Sequence, residues 1–238
     1  MRALRYRASI LVVVACLCVA FAAWADVQLM DFSGFDWFWP GDIGQAGSCY
    51  SAVGFVNSFN PTYVDFDYGT NEYTFVLAEE YACYASGDTF GTTAVYTYDA
   101  QTTNATFRVY CDSIATGTPA DYGTNPPDSL PIGTFTDGDC ILEADFQSDL
   151  TIIVNLSTGN GNISALLEWT GGSQIGNIPP EQRSQSLTVA GLTFDPPGGP
   201  SGYHWQIDGE VFIEDPVAVE PRTWGQIKTL DFDTSGGN

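Results

Sequence analysis

Apolar and polar residues alternate in short runs along most of this chain, and the dominant period is two. In the clearest stretch Leu150, Ile152, Val154 and Leu156 alternate with Thr151, Ile153 and Asn155, and after residues 157–162 a return run sets Ile163, Ala165, Leu167 and Trp169 on one side. Successive side chains of a strand point to opposite faces, so this spacing predicts a hairpin whose apolar set is buried. Thr158-Gly159-Asn160-Gly161 supplies the turn, because Gly and Asn tolerate the positive φ that tight hairpins demand. The preceding run places Cys140, Leu142, Ala144 and Phe146 against Glu143 and Asp145, which predicts a third strand and an antiparallel meander.

The same pattern recurs upstream. Tyr73, Phe75 and Leu77 share a face within residues 72–79, residues 90–98 form a second run, and Phe107, Val109 and Cys111 align within 105–112. Gly, Asn, Asp and Pro clusters separate the runs, and no long segment of period 3.6 appears. The fold class read from this is all-β: a β-sandwich or jelly-roll-like double sheet over residues 26–215, with a closed up-and-down barrel as the alternative. Residues 116–131 (four prolines, no alternation) and 171–186 read as long loops. Residues 216–238 read as a proline-containing linker and polar tail, in which Trp224, Ile227 and Leu230 mark part of one helical face.

The N-terminus departs from this pattern. Arg2, Arg5 and Arg7 precede an apolar run from Ile10 to Ala23, and Ala23-Trp24-Ala25 stands before Asp26, the layout of a cleavable secretory signal over residues 1–25. The run is shorter than the ~20 residues a spanning helix needs, so no membrane insertion is expected after cleavage. Val13-Val14-Ala15-Cys16 has the form of a lipobox, but largely apolar residues follow it. Export implies an oxidising compartment, and Cys49, Cys83, Cys111 and Cys140 remain after the signal as an even set. Two disulfides are therefore expected, with three possible connectivities; Cys111 and Cys140 both fall on apolar strand faces, which favours Cys111 with Cys140 and leaves Cys49 with Cys83. The zinc alternative lacks any Cys-x-x-Cys pair, and the single histidine, His204, lies far along the chain.

Charge narrows the range of partners. The chain carries 29 Asp and Glu against 7 Lys and Arg, and three of those seven lie in the signal. Arg108, Arg183, Arg222 and Lys228 are the remaining cations, so nucleic acid is not an expected partner. Gly-x-Ser-x-Gly, His-Glu-x-x-His and Gly-x-x-x-x-Gly-Lys are absent. A glycosidase needs two carboxylates about 5–10 Å apart, and Glu143 and Glu168 occupy outward strand positions where such a pair can form. For Ca2+, a possible cofactor, the candidates are Asp137 and Asp139, with Asp121 and Asp128 in the adjacent loop, since hard oxygen ligands on irregular backbone suit that ion. For a glycan or cell-surface partner, Trp37, Trp39 and Trp205 are candidate stacking residues, the first two sharing a face of an extended run. His204, within Tyr203-His204-Trp205, reads as structural.

Residues 208–230, DGEVFIEDPVAVEPRTWGQIKTL, resemble the C-termini of poorly characterised secreted proteins of environmental bacteria, which close with a Thr-Trp-Gly-x-Ile-Lys segment after a Pro-Val-Ala linker. NEYTF (71–75), YGTNPPDS (122–129) and FTDG (135–138) resemble the same group's domain. The resemblance implies bacterial secretion and brings no established activity. Members of that group end in aliphatic, aromatic and basic residues, whereas this tail continues as Asp231-Phe232-Asp233. The expected function is a secreted, non-catalytic structural or binding module of the extracellular space or envelope. The alternative is a carbohydrate-active protein, either a sugar-binding module or a β-sandwich glycosidase.

Overall fold

The computed structural model describes residues 27–124, 133–194 and 199–213. The signal segment, Asp128 and the tail from 216 to 238 lie outside the described residues. Ten strand segments are present: β1 (Val27–Trp39), β2 (Cys49–Phe59), β3 (Asn71–Phe90), β4 (Thr93–Asp99), β5 (Thr106–Ser113), β6 (Asp139–Phe146), β7 (Leu150–Asn155), β8 (Gly161–Gly171), β9 (Ser184–Phe194) and β10 (Trp205–Ile213).

These segments make a closed antiparallel barrel of eight strands, not a sandwich. β3 pairs with β4 along its second half and with β5 along its first, so β4 and β5 run end to end as one interrupted strand. β6 and β7 do the same along β8. Each full-length strand then pairs with its neighbour in sequence, and β10 returns to β1 to close the ring. This is the up-and-down alternative. A sandwich and such a barrel share one sequence signature, because in both each strand shows one apolar face to a common core.

The expected meander is also redrawn. β6 does not pair with β7; it precedes it along the same edge of β8, and residues 147–149 form the break between them. The hairpin register holds, with Ile163, Ala165, Leu167 and Trp169 buried and Leu166 and Glu168 outward. Leu156 falls beyond the end of β7 and is exposed.

Aromatic side chains fill the lumen. Phe32 packs on Phe75 with ring centroids 4.5 Å apart, and Phe107 lies 5.7 Å from Phe32 and 5.8 Å from Trp169. Gly209 makes room for this layer, since a Cβ there would meet the Phe32 ring at 2.3 Å. Val64 and Ile178 are buried in the same cluster and come from the loops at one end. Those two loops are tied together: Asp65 N–H donates to Gln174 Oε1, and Gln174 Nε2 donates to the Asp65 carbonyl. At the other end the Gly44 N–H donates to Tyr98 Oη at 2.9 Å. Eight strands enclose a space that side chains can fill or a small ligand can occupy. Here side chains take it.

A second apolar cluster lies on the outside of the wall. Phe35 and Trp37 of β1, Val53 and Phe55 of β2, Val76 of β3 and Tyr110 of β5 pack with Tyr122, Phe135 and Tyr203. Phe135 sits in the short helix Gly133–Thr136, where its carbonyl accepts from Thr74 Oγ1. This part of the wall is buried on both faces, which accounts for the aromatic density of Phe35 to Trp39.

Cys49 and Cys83 face each other across β2 and β3 and form a disulfide. The expected Cys111–Cys140 bond is not made, and both are free thiols. A register shift between Val109 and Tyr110 places Cys140 opposite Tyr110. Cys111 therefore packs against the lumenal core and Cys140 against the outer cluster, so the wall separates them.

Candidate functional site

The residues singled out for chemistry do not come together in one site. Trp205 is buried in the lumen, Trp37 is buried in the outer cluster, and Trp39 is exposed at the rim, stacked on Tyr81. Trp37 and Trp39 do share a face, but no platform of three tryptophans exists. His204 Nδ1 accepts from the Phe38 N–H at 3.3 Å, and its ring packs on Phe38. Asp137 and Asp139 are exposed at the turn into β6, where Gly138 approaches the Cys111 carbonyl so closely that a Cβ would meet it at 2.5 Å. Asp121 is exposed. Among the described residues, no group of three or more His, Cys, Asp or Glu is arranged to hold a metal ion.

Glu143 is engaged in an ion-pair network. Arg108 bridges it, at 3.1 Å through Nε, and Glu79, in close contact through Nη1. Tyr110 donates to Glu79 as well. Glu79 reaches Arg108 from a distortion of β3, where residues 78–81 stand opposite Ser51 and both Ala78 and Tyr81 have positive φ. The two glutamates hold Arg108 in its charged form despite partial burial. Glu168 lies on the neighbouring strand β8 opposite Asp145, two residues from Glu143 and on the same outward face. Burial and the neighbouring carboxylates push the Cys140 thiol up to about 11, which favours its protonated form near neutral pH.

A second polar feature lies inside the barrel. Asp36 is fully buried on β1, and its Oδ1 accepts from the Trp205 N–H at 2.9 Å. Tyr50 is its fully buried neighbour, yet no well-formed hydrogen bond reaches Asp36 Oδ2. Desolvation raises the Asp36 pKa well above the carboxylate range, against the lowering effect of the Trp205 N–H and Tyr50.

A recess of about 340 Å³ opens where the outer wall meets the loops after β2 and β5. Phe55, Tyr68, Tyr73, Ile114 and Pro119 give it apolar walls, and Asn71, Glu72, Asp112 and Ser113 add polar groups. Local sequence builds it. Asp67 accepts from the Gly69 N–H and from the Thr70 hydroxyl, a side-chain-closed turn that projects Tyr68. The Tyr68 ring meets Tyr73 at 5.1 Å and Phe66 at 5.2 Å, while Tyr73 Oη accepts from the Asp67 N–H. On the opposite side Ile114 N–H donates to the Thr70 carbonyl. Gly117 then lets the chain close on Asp112, since a Cβ there would lie 1.6 Å from Oδ2. Burial, aided by Tyr73 and Asp31, pushes the Tyr68 phenol up to about 12, so it remains a neutral hydroxyl.

None of the recess residues was singled out from the sequence as a site residue; Tyr73 was read only as part of an apolar strand face and Asn71 to Phe75 only as a segment of resemblance. The available signal was the segment Phe66-Asp67-Tyr68-Gly69, two aromatics inside a turn-rich loop, where buried packing is not the default role. Ile114, exposed just after a strand end, is a weaker sign of the same kind. Comparison with protein-family models gives no match, and neither curated proteins nor solved structures match the chain.

Proposed function

We propose that this protein is a secreted, non-catalytic binding module, and that its ligand site is the recess walled by Phe55, Tyr68, Tyr73 and Ile114. The observation that carries the reading is the recess itself: a concave, largely apolar space with a few convergent polar groups, built by loops on a rigid barrel. The filled lumen supports placing the site outside the barrel. Engagement of Glu143 by Arg108 weighs against the glycosidase version of the carbohydrate reading. Secretion is supported by the N-terminal pattern, by the Cys49–Cys83 disulfide and by the resemblance to secreted bacterial proteins. Among the described residues no helix is long and apolar enough to cross a membrane.

A sugar-binding version of the same proposal is favoured by one feature, the Tyr68 ring beside Asn71 and two carboxylates, since sugar rings stack on aromatics and donate hydroxyls to acceptors. A ligand-observed NMR screen with a glycan set and a set of small organic compounds tests both. Binding that disappears in Tyr68→Ala, while the melting temperature stays within about 3 °C of the parent, is the expected result. Hits that ignore Tyr68→Ala, or turnover of any glycan, would overturn the proposal.

A further inference from the structure

Resting on the reading of this recess as a ligand site, we infer that its ligand is a small organic cation, an ammonium group carried on a compact apolar or aromatic body. The argument begins with strand register. Glu72 of β3 and Asp112 of β5 are directly paired across the sheet, and such partners hold their Cβ atoms about 4.5–5.5 Å apart. Two like charges in that position repel unless a cation offsets them. Among the described residues neither takes part in an ion pair. Arg108, on the same strand, is engaged by Glu79 and Glu143.

Each carboxylate spends one oxygen on backbone. Ala120 N–H donates to Glu72 Oε1 and Ser113 N–H donates to Asp112 Oδ1, both at 2.8 Å. Those bonds fix the two groups at the recess wall, with Asp112 Oδ2 lying against Gly117, and the paired negative charge is left without a cation among the described residues. The remaining walls decide what kind of cation fits. A hard metal ion needs six or more oxygen ligands and keeps its water, which Phe55, Val56, Tyr68, Ile114 and Pro119 do not supply. An alkylammonium needs the opposite: acceptors on one side, aromatic faces that attract cations, and apolar surface for its body. The recess offers all three, with the partly exposed Tyr68 ring at its mouth.

The test uses the protein from residue 26 onward, 15N-labelled, titrated separately with phenethylammonium, its neutral counterpart phenethyl alcohol, calcium chloride and methyl glucoside. Phenethylammonium is expected to shift the amides around Glu72, Asp112 and Gly117 and to bind about tenfold more tightly than phenethyl alcohol. Glu72→Gln and Asp112→Asn, which keep the backbone contacts, should each erase most of that difference without lowering the melting temperature. Equal binding of the alcohol at the same amides would overturn the cation assignment and leave the recess as a binding site, as would selective binding of methyl glucoside. Calcium alone shifting those amides would overturn it in favour of a metal. No shift with any probe would overturn both the assignment and the binding-module reading.

Discussion

Leu166 and Leu167 are adjacent on β8 and face opposite sides of the barrel wall, so placing one carboxylate at each measures the wall's two environments. Leu167 is fully buried beside Ile163 and Trp169, whereas Leu166 is 49% exposed opposite Ser186. Leu167→Asp forfeits the whole transfer energy of a leucine, about 1.5–3 kcal/mol. It also leaves a carboxyl in the lumen either unpaired or forced to protonate, at several kcal/mol more. The sum exceeds about 5 kcal/mol, which reaches the lower end of the ~5–15 kcal/mol that holds an ordinary domain together. Leu166→Asp loses about half the transfer energy, ~1 kcal/mol, and a further few tenths from the poor strand preference of Asp. For a domain of this size that is a drop of roughly 3–6 °C in melting temperature. Urea titration followed by tryptophan fluorescence should find Leu167→Asp unfolded without denaturant and Leu166→Asp cooperative with a slightly lowered midpoint. Equal losses would mean that β8 is buried on both faces or shifted by one residue, and the lumenal assignment of Ile163, Ala165, Leu167 and Trp169 would fail with it.

Asp36 holds its proton in the fold at pH values where an unfolded Asp, with a pKa of about 3.9, has lost it. At this residue the native state then binds more protons, so the contribution of Asp36 to stability is greatest below about pH 4 and declines as pH rises. Asp36→Asn keeps the acceptor for the Trp205 N–H and removes the titration; its urea midpoint should exceed the parent's at pH 7, the gap closing by pH 4, and a gap that widens on acidification would refute the assignment. Arg108→Gln leaves Glu79 and Glu143 facing each other without their cation; a loss of about 1–2 kcal/mol is expected for this partly exposed network, partly restored by 1 M salt because screening weakens the repulsion. An unchanged melting temperature would remove the network from the fold's energetics. Protein beginning at residue 26 should release two alkylatable thiols, Cys111 and Cys140, on denaturation without reductant, and four with it; mass spectrometry finding none would restore the second disulfide. Cys49→Ser with Cys83→Ser opens a link of sequence separation 34 and should cost about 3–4 kcal/mol in equilibrium unfolding.

Strand identity was legible in the sequence where one face of a strand meets water. The Leu150–Trp169 hairpin shows it, because the alternation there reports the lumen directly. Closure was not legible, since β4 with β5 and β6 with β7 act as single interrupted strands and nothing local distinguishes a break at residues 147–149 from a turn. The pairing of Cys111 with Cys140 failed for a related reason: a one-residue register shift in β5 against β6 moves a side chain through the wall. That Trp37 and Trp39 share a face was legible, but both faces of β1 are apolar, and only the packing of Phe135 and Tyr122 shows that the outer face is covered. The recess was illegible for a different reason. Glu72 and Asp112 lie forty residues apart in sequence, and only the β3–β5 register makes them neighbours.

The pairing of β1 with β10 has a consequence for how the chain acquires its structure. Gln28 donates to Glu210 across that seam, a separation of 182 residues. Seven of the eight pairings of the ring join strands that follow one another, and each can form as soon as its second strand is available. The eighth requires the two most distant strands to meet, so its loop-closure entropy is the largest and its reward comes last. Until then β1 and β10 are both open edges, each able to pair with another chain. The interval between completing the meander and sealing the seam is therefore when this protein is most exposed to aggregation, and that interval lasts as long as the search of one end of the sheet for the other.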